Sequence, residues 1–297
     1  MSRCKNLRHY YPRTASSGPG KANANPAFDK GTRVSLMFRY VNVYEIGFPA
    51  RFRALSTLNF SSMLLKTLRE EVLEANLELV RRGLVLYTFG NVSGIDRSQG
   101  LVAIKPSGVP YEDLKPEQIV ISDLAGKIVD GTLRPSSDLP THIELYKHFP
   151  NIGGVAHTHS EYATAWAQAE TPIPCFGTTH ADSFHGPIPV TERLTASEIA
   201  GDYELETGAA ICRTFSNSKL DPDAIPAVLV AGHAPFCWGA TAAEAAHNAV
   251  ILEYVARMAQ HTLSINAASR PLARELHDKH FLRKHGRNAY YGQVKTP

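Results

Sequence analysis

The chemistry-bearing residues stand out in one tripeptide, His157-Thr158-His159. On a β-strand, side chains two positions apart point to the same side, so the two imidazoles converge on one point. Imidazole nitrogen is a good ligand for zinc and its first-row neighbours. An HxH pair alone equally describes two partly exposed polar residues. Here the apolar run Ile152-Gly153-Gly154-Val155-Ala156 precedes it and delivers both rings to the C-terminal end of a strand, where sites in such sheets gather. His233 follows a second apolar run, Ala227–Ala231, and precedes the turn Ala234-Pro235. A lone histidine there reads first as an ordinary loop residue, but two strand ends each presenting histidine favour a shared site. A carboxylate, Asp138 in Pro135-Ser136-Ser137-Asp138, sits just before a helix opening at Pro140-Thr141; it reads equally well as a helix cap. Ser136-Ser137, Lys105-Pro106-Ser107-Gly108 and Gly90-Asn91-Val92-Ser93 are small, donor-rich turns suited to phosphate oxygens, though each alone is an ordinary loop. The chain has no GxGxxG nucleotide motif and no P-loop, which argues against NAD- or ATP-dependent chemistry.

The elements that position these residues are legible from periodicity. Leu64, Leu68, Val72, Ala75 and Leu79 mark one face of a helix, and Gly83 sits where a C-terminal glycine cap belongs. Short β-rich runs are expected at Leu84–Thr88, Leu101–Ile104, Ile119–Ser122, Gly154–Thr158 and Ala227–Ala231. Helices are expected at Pro140–His148 and Glu161–Ala169. Two capping boxes, Thr195-x-x-Glu198 and Thr241-x-x-Glu244, start two more, the second continuing to about Ala259. A last helix is expected near Leu272–Leu282. The mixture implies one sheet flanked by helices, an α/β domain beginning at residue 63.

Residues 1–62 behave differently. They carry 10 Lys/Arg and 2 Asp/Glu and show no sustained period, whereas the rest carries 21 basic and 26 acidic residues. Met63 opens the first periodic helix, so residues 1–62 are expected to be a non-domain extension from a misassigned start, with a basic targeting leader as the alternative. The body is mildly acidic, which gives no electrostatic case for nucleic-acid binding. Four cysteines without a CxxC pair fit a reducing compartment. The long uncharged stretch Ile225–Ala243 is broken by Pro226, Gly232, His233, Pro235 and Gly239, so it is no membrane span. No membrane contact and a cytoplasmic location are expected.

Together these segments resemble the L-ribulose-5-phosphate 4-epimerase family of the class II aldolase superfamily. The carriers are Gly90-Asn91-Val92-Ser93, Ile104-Lys105-Pro106-Ser107-Gly108-Val109, Pro135-Ser136-Ser137-Asp138 through His142, and Gly153 through Ser160. Thr178-Thr179-His180-Ala181-Asp182 and the tail from Asp278 to Gln293 complete the match. The resemblance implies a three-layer αβα fold with a central mixed, mainly antiparallel sheet over residues 63–297. It implies metal ligands at Asp138, His157, His159 and His233 for one divalent ion per subunit, zinc first, with manganese and cobalt as alternatives. It places substrate contacts at Gly90, Asn91, Ser107, Gly108, Ser136 and Ser137. An acid/base pair falls on Asp182 and Tyr291, the tyrosine coming from the neighbouring subunit of a homotetramer.

The implied reaction explains these parts. The proton on C4 of a ketose phosphate is not acidic, so direct epimerisation there is difficult. Retro-aldol cleavage of C3–C4 gives the enediolate of dihydroxyacetone and glycolaldehyde phosphate, and re-addition to the aldehyde's other face inverts C4. The metal serves as Lewis acid, and one proton acceptor and one donor are needed on opposite faces of the aldehyde. A fuculose-phosphate-type aldolase is the nearest rival; those aldolases carry glutamate where this chain has Asp138. A dehydratase and a non-enzymatic cytoskeletal head domain on the same scaffold are more distant alternatives.

Overall fold

The computed structural model describes residues 63–287 and 289–292; residues 1–62, and the expectation of a misassigned start, lie outside them. Helix α1 (Lys66–Arg81) leads into strands β1 (Asn91–Asp96), β2 (Leu101–Ile104), β3 (Val120–Asp123) and β4 (Ile128–Asp130). Then come α2 (Leu139–His148), β5 (Gly154–His157), α3 (Glu161–Gln168), α4 (Thr178–Ala181), α5 (Ala196–Ala200) and α6 (Tyr203–Ser218). Strands β6 (Ala227–Leu229) and β7 (Pro235–Gly239) precede α7 (Ala242–Ile265) and α8 (Arg274–His285). The seven strands form one sheet in the order β4-β3-β2-β1-β5-β7-β6. Every ladder is antiparallel. The mixed character expected of the sheet reduces to one isolated parallel bridge, Val190 to Leu229.

The three-layer build follows from the alternation of side chains along β1. The hydroxyl of Ser93 meets His142 and Tyr146 of α2, both at 2.7 Å. One residue on, a Cβ added to Gly94 would strike Leu68 and Val72 of α1. Successive residues thus face opposite helical layers. On the α1/α7 side the contact is close enough to demand glycine: a Cβ at Gly154 would lie 2.4 Å from the Thr241 carbonyl oxygen. On the α2/α6 side, Phe149, Phe215 and Trp238 pack edge-on and tilted at 5.1–5.4 Å between centroids.

The helix ends match their sequence signals in most cases. After α1, Gly83 has φ +69°, and the Gly83 and Leu84 amides donate to the carbonyls of Val80 and Leu79; this is a Schellman cap. Thr195 and Glu198 form a complete capping box. Thr241 caps α7 through the Glu244 amide, but the Glu244 carboxylate reaches the amide of Ala240, not that of Thr241.

The strand expected at Leu84–Thr88 is a turn, with Leu86 69% and Tyr87 88% exposed. Chain reversal there lets the following segment, read as a turn, run as the buried strand β1. The Asn91 amide nitrogen and the Ser93 hydroxyl are accommodated in that buried strand by bonds to Ser136, Asp138 and His142. Strand β7 was not foreseen; only its first residue, Pro235, fell within an expected turn, Ala234-Pro235. Proline is tolerated as its first residue because a strand's opening amide need not donate to the ladder. No helix among the described residues is long and apolar enough to cross a membrane.

Candidate active site

Antiparallel pairing aligns Asn91 of β1 and Phe236 of β7 with His157 of β5. This register places the end of β5 beside the N-terminus of α2 and beside the turn that joins β6 to β7. His157 is 2% exposed, and its ring stacks on Phe236 at 4.1 Å. Its Nδ1–H donates to the Pro235 carbonyl at 2.9 Å, which leaves Nε2 as the free lone pair. His159 lies just beyond the strand, with its Nε2 3.2 Å from that of His157. His233 is delivered by a tight turn in which its amide bonds Val230 and the Val230 amide bonds Ala234. Its Nδ1 is 3.3 Å from the Tyr203 hydroxyl. The three ring centroids lie 4.9, 5.0 and 5.1 Å apart.

The donor set fits a divalent cation. One nitrogen from each of the three rings lies within 4.8 Å of the others. Burial pushes His233 down to about 4 and also lowers His159, so both imidazoles are neutral ligands at pH 7. Partners on the far ring nitrogens of His157 and His233 are the outer-shell contacts that orient metal-binding imidazoles.

Asp138 stands at the N-cap position of α2, yet its side chain makes no capping bond. The plain capping alternative therefore does not hold. The carboxylate instead takes a 2.6 Å hydrogen bond from the Asn91 amide and faces the same cavity as the histidines. It is not among the converging ligand atoms. Burial raises its carboxyl, but His157, His142 and the Asn91 amide outweigh that and hold it below the usual range. Behind it His142 is fully buried, bonded to Ser93 through Nδ1. Among the described residues, His142 Nε2 and Asn91 Oδ1 have no hydrogen-bond partner.

A cavity of about 360 Å³ is lined by Gly90, Asn91, Ser107, Gly108, Ser136, Ser137, Asp138, His157, His159 and His233 together. Ten residues expected from three turns and two strand ends thus share one wall. The amides of Ser107 and Ser136 are spent, however, on the carbonyls of Arg134 and Lys105. The cavity also holds the serine hydroxyls and a residue not singled out from sequence, Lys105, as donors that could meet an anion. Its ammonium is 2% exposed and burial lowers it to about 8. Phe89, Tyr203 and Glu204 also line the cavity unforeseen. Tyr203 and Glu204 open α6, whose polar first turn gave no periodic signal.

Asp182 and Tyr291 are elsewhere in the chain. Asp182 caps the end of α4 and is gripped by His280 (2.9 Å), by Arg283 through both oxygens (2.9 Å) and by Lys284 (3.2 Å). Burial raises its carboxyl, but the hydrogen bonds from Arg283, His280 and Lys284 overcome that and lower it. Tyr291, 61% exposed, lies against Arg283 and Lys284 at 4.9 and 4.6 Å. Asp182 borders a different cavity, with Gly239 and Ala240. That is the opposite end of β7 from Pro235, roughly 13 Å away along a strand rising about 3.3 Å per residue. The expected acid/base residues thus share one patch through Arg283 and Lys284, and neither lines the histidine cavity of its own chain.

Residues 70–260 match the Class II Aldolase and Adducin N-terminal domain family. The chain belongs to that family. Within it, the chain is 52% identical over 229 residues to the L-ribulose-5-phosphate 4-epimerase UlaF of Salmonella paratyphi B, covering 77% of this chain and 100% of that protein. Among solved class II aldolase structures, an L-fuculose 1-phosphate aldolase superposes with TM-score 0.62 at 25% identity, over 73% of this chain and 96% of the other. YgbL of Klebsiella pneumoniae, described as a putative aldolase/epimerase/decarboxylase, gives 0.58 at 26% identity, over 72% and 97%.

Proposed function

We propose that this protein is a metal-dependent epimerase that interconverts L-ribulose 5-phosphate and D-xylulose 5-phosphate through cleavage and re-formation of C3–C4. The observation that carries the reading is one cavity holding three convergent imidazoles opposite a hydroxyl-rich anion cradle. Identity of 52% to an epimerase over that protein's whole length supports this reaction over the related aldol cleavage. Aspartate at 138, where fuculose-phosphate aldolases carry glutamate, supports it too.

In this reading Asp138, His157, His159 and His233 hold the cation, and residues 63–297 form the catalytic domain. A divalent ion bound there supplies Lewis-acid stabilisation of the negative charge that bond cleavage leaves on the ketose oxygens. Ser107, Ser136, Ser137 and Lys105 grip the phosphate. That grip retains the aldehyde fragment between cleavage and re-addition, so the cleaved pair recombines instead of dispersing. Gly90 and Asn91 shape the wall between cradle and ligands. Asp182 and Tyr291 exchange the C4 hydroxyl proton on opposite faces of the aldehyde. Because they sit together on one patch, both serve the cavity of an adjacent copy in a cyclic homotetramer. Zinc is the expected ion, the location is the cytoplasm, and L-arabinose breakdown is the expected setting.

The test is a product assay on the full chain loaded with zinc or manganese. L-ribulose 5-phosphate should become D-xylulose 5-phosphate, and chelation should abolish the conversion until metal is restored. Free dihydroxyacetone and glycolaldehyde phosphate without the xylulose product would identify an aldolase instead.

A further inference from the structure

Tyr111 lies just outside the cavity and joins three of its parts. It is 3% exposed and stands in a 3-10 turn, Tyr111–Asp113, shortly after Gly108. Its single hydroxyl proton is shared between the carbonyls of Phe89, at 3.0 Å, and Gly90, at 2.9 Å. Its ring lies 4.6 Å from the Lys105 ammonium. Lys105 is a buried cation whose other polar contact is the Pro106 carbonyl at 3.4 Å. An aromatic face at that distance offsets part of the cost of burying the charge. The Phe89–Gly90 turn is seated hard against the site, since a Cβ on Gly90 would fall 2.8 Å from the His157 carbonyl oxygen. The next residue, Asn91, donates to both Ser136 and Asp138.

We propose that Tyr111 is a positioning residue for the anionic end of the substrate. It ties the Phe89–Gly90 turn to the ammonium of Lys105 and so sets the spacing of the phosphate cradle. The role rests on the sugar-phosphate reading above. A purely space-filling residue at this position would need no hydroxyl. Here the hydroxyl bridges to a turn 21 and 22 residues away in sequence. Burial also pushes the phenol's pKa up, so it stays a donor at every working pH.

The test uses the full metal-loaded chain, with inorganic phosphate as the probe. Tyr111→Phe removes the bridge and keeps the ring; Tyr111→Leu removes both. The inhibition constant of phosphate and the KM of the ketose phosphate should rise together, by roughly three- to tenfold in Tyr111→Phe, the loss expected for about one buried hydrogen bond. Tyr111→Leu should raise them further. Both effects should fall on KM more than on kcat, with metal content and melting temperature held near wild type in Tyr111→Phe. If phosphate inhibits the wild type and both variants alike, the proposal fails and the sugar-phosphate reading stands. If phosphate does not compete in the wild type, that reading fails and takes the proposal with it. Loss of melting temperature or metal with an unchanged phosphate constant also overturns it, since that marks a merely structural role.

Discussion

Replacing Gly90 with alanine tests the close approach that seats the cavity wall against the strand of His157. Gly90 has φ +74°. Holding an L-residue there costs about 1–2 kcal/mol. The new Cβ would also lie 2.8 Å from the His157 carbonyl oxygen and 2.9 Å from Val85 Cγ1. Backbone is the obstacle on one side, so relief by a side-chain rotation is closed, and overpacking of this kind adds about 1–3 kcal/mol. Gly83 is the natural comparison: its φ is +69°, and no atom lies within 4 Å of an added Cβ. Gly83→Ala should therefore lose only the backbone share, and Gly90→Ala about 2–5 kcal/mol in all. For a domain of this size each kcal/mol moves the melting temperature by about 2–4 °C. Thermal unfolding with and without added zinc, combined with metal analysis, reads both effects. Gly90→Ala should melt well below Gly83→Ala and should also bind metal more weakly, because the displaced groups are the His157 backbone and Asn91. Equal melting shifts and equal metal content in the two variants would refute the argument.

Two further outcomes are expected. Burial depresses His142 to about 3 and His233 to about 4, from an ordinary value of 6.5. The unfolded chain takes up these protons near pH 6.5 and the folded chain does not. Metal-free stability should therefore be level above that pH and fall between pH 6.5 and 4, by up to about 1.4 kcal/mol per unit for each histidine. Urea titrations at pH 7.5, 6 and 5 measure the slope, and His142→Phe should flatten it; an unchanged slope would contradict the assignment. Asp182→Asn should be inactive with metal retained, and His157→Ala inactive with metal lost. Co-expressed in mixed oligomers, the two should recover activity at about a quarter of the sites if the acid/base patch serves a neighbouring copy. No recovery would place Asp182 in its own chain's site.

What could be read in advance followed from period and side-chain type. The HxH pair and the strand beneath it were legible because alternation fixes which rings share a side. Gly83, Thr195 and Glu198 were legible because their caps are local. Strand β1 was not, since Asn91, Ser93, Gly94 and Asp96 are turn formers in isolation. Their place in mid-sheet depends on Asp138, Ser136, His142 and Tyr146, whose bonds to Asn91 and Ser93 span 45 or more residues. Lys105 was visible only as one member of a donor-rich turn, because its isolation from carboxylates is a tertiary fact. The shared patch of Asp182 and Tyr291 was equally hidden, for it depends on α8 docking its cations onto α4.

The four candidate ligands enter the cavity from the start of α2, the end of β5 and the turn before β7. This dispersal bears on the order of events during folding. A nascent chain that stops short of residue 233 can offer the cation two imidazoles and a carboxylate, but no third ring. The pairing of β7 with β5 is what brings the Pro235 carbonyl to His157 Nδ1 and the preceding turn, with His233, alongside it. In the proposed metal-bound protein, the cation would therefore find its complete ligand set only in a chain extended past residue 233. Interactions gained that late slow the escape from the native state and leave its rate of formation nearly untouched. In that reading a bound cation would serve as a kinetic latch on the fold.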